Sequence, residues 1–158
     1  GATKVVQMDA DLSHSPEDIP VLVRKLDSAD VVIGSRYIKG GGLDDSWSFL
    51  RKYLSYLGNL YIRLIGGIDV HDGTSGFKAF RRAVLDKVDF STFRCYGFGF
   101  QAEFTRACLA LGFVVIEHPI IFKDRTHGTS KMSCGIVFEA LWKIPIHRIR
   151  NFKLNLFE

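Results

Sequence analysis

The chain opens on a short apolar run, Lys4–Met8 (KVVQM), that ends at two aspartates, Asp9 and Asp11. Its length and β-branched content predict a buried strand that stops where the carboxylates begin. Ser15, Pro16, Glu17 and Asp18 then carry a helix-start composition: a hydroxyl N-cap, proline at the first helical position, and acids in the first turn. Ile19, Leu22, Val23 and Leu26 recur at helical spacing, and DVVIGS (30–35) is a second apolar strand. Strand, helix, strand with short connections predicts a βαβ unit and hence a parallel sheet.

Polar GGGLDDS (40–46) predicts a loop. A long helix follows over 48–67, with Leu50, Tyr53, Leu54, Leu57, Tyr61 and Leu64 on one face and Gly66–Gly67 ending it. A strand over 76–82, a short helix over 83–88, a helix over 98–112 closed by Gly112, and a strand over 113–122 come next. A last helix over 134–144 stops before Pro145. Strands alternating with helices predict an α/β fold. Internal repeats and low-complexity linkers are absent.

With 158 residues, 47% hydrophobic and 24% charged, the sequence has enough material for one domain with its own core. Cys95, Cys108 and Cys134 show no CxxC spacing and read as buried or bystander thiols of a reducing compartment. The net charge of +4 is concentrated: from Ile120 onward seven Lys/Arg face only Asp124, Glu139 and Glu158. That basic third suits phosphates or an anionic membrane surface, or is a solvated face. It is not interleaved with stacking aromatics, so nucleic acid is not expected as a partner. No apolar run reaches the roughly 18 residues of a membrane-spanning helix, and no signal-peptide pattern is seen. The start, GATKVV, has no initiator Met and leads straight into a strand, so further residues are expected upstream.

Asp9 and Asp11 flank Ala10. On extended backbone, residues i and i+2 project to one side, so the two carboxylates can share one hard divalent cation, Mg2+ or Mn2+. The carboxyl end of a strand is also where open α/β sheets bind ligands. The competing reading is that either Asp forms a turn or caps the next helix. Three loops at strand ends add to the picture. GSRYIKGGG (34–42) holds Arg36 and Lys39, which can meet phosphate, and three glycines that let the loop move. DGTSGFKAFRR (72–82) is a turn-rich entry to a strand. DRTHGTSKM (124–132) surrounds Gly128 with Arg125, Lys131 and hydroxyls, a phosphate-binding composition though not a P-loop.

Taken in order, MDADLSHSPEDIP, GSRYIKGGG, DGTSGFKAFRR, GFGFQAEF and DRTHGTSKM resemble the polyprenol (dolichol) phosphate mannose synthases of glycosyltransferase family 2, over about residues 4–132. The resemblance implies a GT-A fold, Rossmann-like with a mostly parallel sheet. It implies transfer of mannose from GDP-mannose to a polyprenyl phosphate with inversion, and Mg2+ or Mn2+ on Asp9 and Asp11. It implies substrate contacts from Asp9, Ala10, Asp11, Arg36, Lys39, Ser75, Arg125 and Lys131. The catalytic set it implies is Asp11, Arg36, Arg125 and Lys131, with Glu103 where many relatives keep an acid near the acceptor; Glu103 also reads as a helix-surface residue. The family's longer N-terminal stretch, which holds base and ribose, is not in this sequence. Residues 1–158 are therefore expected to be the C-terminal portion of one GT-A domain, with an amphipathic tail from about 133.

Two further expectations follow. Missing neighbour strands would leave the first strand with an open edge prone to self-association. The helices over 49–64 and 136–144, the latter with Trp142 beside Lys143 and later Arg148 and Arg150, suit a membrane interface at the cytoplasmic face. Those faces could instead cover the sheet or a partner. Other hexosyl transfer to polyprenyl phosphate, or a non-catalytic remnant binding lipid phosphate or a partner, are the competing functions.

Overall fold

The computed structural model describes residues 1–124. The 134–144 helix, the tail from 133, and Arg125 and Lys131 lie outside the described residues.

The apolar run at the start forms β1 (Lys4–Gln7). The predicted helix start divides into two pieces. Ser15 accepts from the Glu17 N–H and caps a 3₁₀ turn, Pro16–Asp18, and α1 (Ile19–Lys25) continues from it. The 3₁₀ turn is a common lead-in to an α-helix. Leu22 and Leu26 of the predicted stripe are fully buried. β2 (Val31–Ser35) is buried along its whole length. Gly42–Leu43, read from sequence as loop, is a two-residue strand, β3. α2 (Phe49–Gly66) starts on the Ser48 hydroxyl and ends at Gly67, which has φ 66°, a left-handed C-cap that glycine adopts without strain. β4 (Lys78–Arg81), α3 (Arg82–Lys87) and α4 (Phe98–Ala110) follow as predicted. The last predicted strand breaks at Ile120 into β5 (Val115–Pro119) and β6 (Ile121–Phe122).

The sheet order is β1-β4-β2-β5, with β3 and β6 forming a separate two-stranded pair. β1 and β2 run the same way, but they are not neighbours. β4 lies between them and is antiparallel to both, while β2 and β5 pair in parallel. The simple parallel βαβ unit expected from sequence is thus corrected to a mixed sheet. The βαβ rule assumes that strands close in sequence pair; here a strand from more than forty residues later takes the place between them.

Alternation along the strands feeds two cores. Val31, Ile33 and Phe80 pack with Ile62 of α2, Val84 of α3, and Ala102, Phe104 and Cys108 of α4. On the other face, Val32 and Ala79 pack with Phe77, Leu22 and Leu26.

α2 departs most from its sequence pattern. The apolar stripe read there as one coherent face is turned outward: Leu50 is 65% exposed, Leu54 51% and Leu64 63%. The buried positions are Asn59, Ile62 and Gly66. Asn59 and Ile62 therefore face the domain, Ile62 in the core and Asn59 toward its hydrogen-bond partner Thr74. We expect Ile62→Ala to lower unfolding free energy by about 2–5 kcal/mol, whereas Leu54→Glu leaves it nearly unchanged. Urea denaturation of both variants checks this.

Candidate active site

Asp9 and Asp11 lie beyond the end of β1, in a bent segment rather than on extended backbone. The strand-alternation argument for their convergence is therefore corrected. Asp11 instead lies in a bend, and both carboxylates are near enough to the His14 ring to act on its charge. Leu12 is the one non-glycine residue with positive φ among the described residues, at 64°, a conformation worth roughly 1–2 kcal/mol of strain for an L-residue. This reversal lets Ser13 donate both its N–H (3.1 Å) and its hydroxyl (2.5 Å) to Asp11 Oδ1. Asp11 thus does form a turn, as the competing reading held, and it does so while sharing a neighbourhood with Asp9.

That neighbourhood is organised by His14, which is 3% exposed. Its Nδ1 accepts the Asp9 backbone N–H at 3.3 Å, and its ring packs on Phe77 and Phe122. Burial lowers its pKa; Asp9 opposes that, Arg36 adds to it, and Asp11 and Asp72 also act on it. A neutral ring with its proton on Nε2 is what the Asp9 bond requires. Asp9, Asp11, Arg36 and Asp72 are all close enough to one imidazole to influence its charge.

Arg36 follows β2 directly and is buried. Nε donates to Asp72 Oδ2 and Nη2 to Asp72 Oδ1, both at 2.7 Å, and the Arg36 backbone N–H reaches Oδ2 at 3.0 Å. Burial works against the guanidinium charge, but the Asp72 carboxylate more than offsets it, so the pKa ends above its ordinary value. Nη2 also reaches Thr74 Oγ1 at 2.9 Å. Thr74 is bonded in turn to Asn59 of α2 through both amide atoms. Glu117 of β5 completes the loop, accepting the His71 and Asp72 N–H groups at 2.9 and 3.0 Å. Asn59 of α2 faces inward toward Thr74, and half-buried Ser55 accepts from Tyr37 Oη at 2.6 Å.

The other predicted site residues are distributed as follows. Ala10 and Lys39 are exposed. Ser75 is buried, donating to Gly34 O at 2.7 Å and accepting from Phe77 N–H at 3.2 Å. Glu103 accepts the Arg94 and Cys95 backbone N–H groups at 3.0 and 2.8 Å, which ties it to the 94–95 loop. Two glycines of the 34–42 loop are required by its shape. A Cβ at Gly41 would lie 2.5 Å from Ser35 O, and Gly40 has φ 91°. Sequence reasoning missed His14, Asp72, Asn59, Glu117 and Lys78. His14 and Asp72 sit inside stretches singled out for other residues, but only the fold reveals what they hold.

Two oxygen-donor carboxylates in one neighbourhood fit a hard divalent ion that takes its remaining ligands from substrate phosphate and water. Among the described residues no group of three or more His, Cys, Asp and Glu is gathered as a complete metal site. The fit is to a shared ion, not an all-protein cage.

The mixed α/β sheet fits the GT-A fold of glycosyltransferases. Solved structures agree on the fold. Glucosyl-3-phosphoglycerate synthase of Mycobacterium tuberculosis, in complex with Mn2+, UDP-glucose and phosphoglyceric acid, aligns with TM-score 0.58 at 18% identity, over 92% of this chain and 50% of that one. Another crystal structure of the same synthase aligns with TM-score 0.56. The family model of glycosyl transferase family 2 matches residues 4–89, and the chain belongs to that family. It is 42% identical over 151 residues to a polyprenol monophosphomannose synthase of Mycolicibacterium smegmatis, covering 95% of this chain and 57% of the relative. It is 42% identical to an undecaprenyl-phosphate mannosyltransferase of Micrococcus luteus, over 89% of this chain and 58% of that one. A dolichol-phosphate mannosyltransferase of Pyrococcus furiosus is 34% identical, over 94% of this chain and 44% of its own length. The chain spans about half the length of these curated relatives.

Lys78 gives the site's surroundings a pH signature. Burial pulls its pKa from an ordinary 10.5 down to about 7, against the pull of Asp72. Between those values the unfolded chain holds a proton that the folded chain has released, so stability rises with pH across that window. The penalty of the buried charge is fully present below about pH 7. We expect the stability of wild type relative to Lys78→Met to climb from pH 7 to pH 10 in urea denaturation.

Proposed function

We propose that this chain carries the metal- and phosphate-handling part of an enzyme that transfers mannose from GDP-mannose to a polyprenyl phosphate, inverting the anomeric carbon. The observation that carries the reading is the grouping of Asp9 and Asp11 around His14 beside the buried Arg36–Asp72 pair. The mannosyltransferase names of relatives at 42% identity support the sugar and the acceptor class.

A phosphate monoester is already an oxyanion near neutral pH and needs little help from a general base. The demand is to position two anionic groups and to stabilise the departing diphosphate. Glu103 is accordingly not required as a base, which suits its engagement with backbone N–H groups. Asp9 and Asp11 hold Mg2+ or Mn2+, which when bound neutralises the diphosphate. Arg36 contributes the positive charge it keeps near Asp9, since its Nε and Nη2 are already bonded to Asp72 and Thr74. Lys39, exposed on a loop shaped by Gly40 and Gly41, contributes a second cation for phosphate in this reading. Arg125 and Lys131 complete the cationic set in this reading.

The acceptor's lipid tail calls for a membrane surface. No helix among the described residues is long and apolar enough to cross a membrane. The outward face of α2 offers Phe49 (83% exposed), Leu50 and Leu54, which suits seating on the cytoplasmic face of a bilayer. Cys95 and Cys108 are buried thiols, in keeping with a reducing compartment. β1 pairs only with β4 among the described residues, so its outer edge is the place for a further strand, whether from upstream residues or from a second copy.

In a full-length protein carrying this segment, Asp11→Asn should abolish metal-dependent mannosyl transfer with an unchanged circular dichroism spectrum; unaltered turnover would refute the assignment. Sedimentation with anionic vesicles tests the membrane surface. Leu50→Glu combined with Leu54→Glu is expected to release the chain into the supernatant, and retention on the vesicles would remove α2 from the interface.

A further inference from the structure

Lys78 has no exposed surface, and the chemistry above gives it no part. It opens β4 in the middle of the sheet, between Gln7 of β1 and Ile33 of β2. Its Nζ donates to Ser75 O at 2.6 Å and to Gln101 Oε1 of α4 at 2.7 Å, with Gln101 O farther off at 3.5 Å. A buried amine needs such partners, and an apolar side chain of similar length would fill the same space without needing them. The placement calls for a reason beyond packing.

The bond to Ser75 O supplies one. Ser75 is gripped from the other side through its hydroxyl, which bonds to Gly34 O and Phe77 N–H. The next residue, Gly76, borders the Asp9 carboxylate: a Cβ there would lie 3.3 Å from Oδ1 and 3.5 Å from Oδ2. Whatever fixes Ser75 therefore fixes the wall beside Asp9.

We propose that Lys78 is a positioning residue for the Asp9 carboxylate, acting by clamping the Ser75 carbonyl against Gln101 so that Gly76 is held as the surface Asp9 lies on. The functional meaning of this clamp rests on the reading of Asp9 as a metal-binding carboxylate. Asp72, Cys108 and Arg36 are the charged or titratable groups that face the amine. The two short bonds need only two protons, so the charged and the neutral amine both make them. The clamp does not depend on the protonation state.

The test uses the 158-residue chain and two readouts: backbone amide shifts of Asp9 and Gly76 by NMR without metal, and Mn2+ affinity by calorimetry. Lys78→Met should move both amides and weaken Mn2+ binding by about tenfold or more. Its melting temperature should hold or rise, since a buried amine has been replaced by an apolar chain. Gly76→Ala should also weaken Mn2+ binding, because the added methyl meets Asp9 across a rigid wall. In the double variant the wall can yield, so the combined loss should fall short of the product of the two single losses. If the lysine merely supported the fold, its replacement would lower the melting temperature and leave both readouts alone. If Lys78→Met does not fold, Gln101→Met removes the other jaw of the clamp and should give the same shift pattern. Unmoved amides with unchanged Mn2+ affinity, or fully multiplicative losses, overturn the proposal. A wild-type chain that takes up no Mn2+ would defeat the metal reading of Asp9, and the amide shifts alone would then decide the clamp.

Discussion

The Arg36–Asp72 ion pair is buried on both sides, with side-chain exposures of 7% and 0%. Removing water from two charges is tolerable only when the geometry is close to ideal and the remaining lone pairs are satisfied. Here the carboxylate receives a two-toothed guanidinium, a backbone N–H and the Thr74 hydroxyl at 3.3 Å. Deleting one partner of such a pair costs about 3–5 kcal/mol, whereas replacing both with apolar groups is often neutral. The pair therefore specifies an arrangement more than it adds stability. It joins the residue after β2 to the loop before β4. Through Thr74 and Asn59 it also orients α2, and through Glu117 it reaches β5.

This constraint explains what could and could not be read along the chain. Periodicity located α1 and α4 well, since local spacing sets their buried residues, and β4 was legible as a short strand although it is buried on both faces. It misdirected the reading of α2, because a hydrophobic stripe is assumed to face inward. Asn59 and Ile62 take the buried face instead, Asn59 bonded to half-buried Thr74, while half-buried Ser55 accepts from Tyr37. No rule of spacing reveals those partners. The antiparallel β4 between β1 and β2 was likewise invisible, since strand order is set by distant residues.

The candidate site shows a similar division. Asp9 and Asp11 stand out in the sequence because two carboxylates after an apolar run need a reason. The geometry assumed for them was extended, and the true one depends on the left-handed turn at Leu12. Single residues such as His14, Asp72 and Lys78 carry no local pattern. Their roles exist only through partners such as Arg36 and Gln101, from 22 to 36 positions away in sequence for His14, Asp72 and Lys78. Ser75 and Glu103, chosen by resemblance, turn out to hold backbone rather than open surface.

The position of β4 has a kinetic meaning. β1 and β2 are made early in the chain, yet neither can hydrogen-bond to the other; both wait for residues 78–81. Contacts of such long sequence separation slow folding, because loop closure must precede any reward. During synthesis on the ribosome, β1 and β2 emerge before β4, the strand that both pair with, and until it arrives the species is open to aggregation or to chaperone capture. When β4 does arrive, it zips both strands at once and brings Asp72 to Arg36 and Gly76 to Asp9 in the same event. The surroundings of Asp9 are thus formed together with the sheet and not before it.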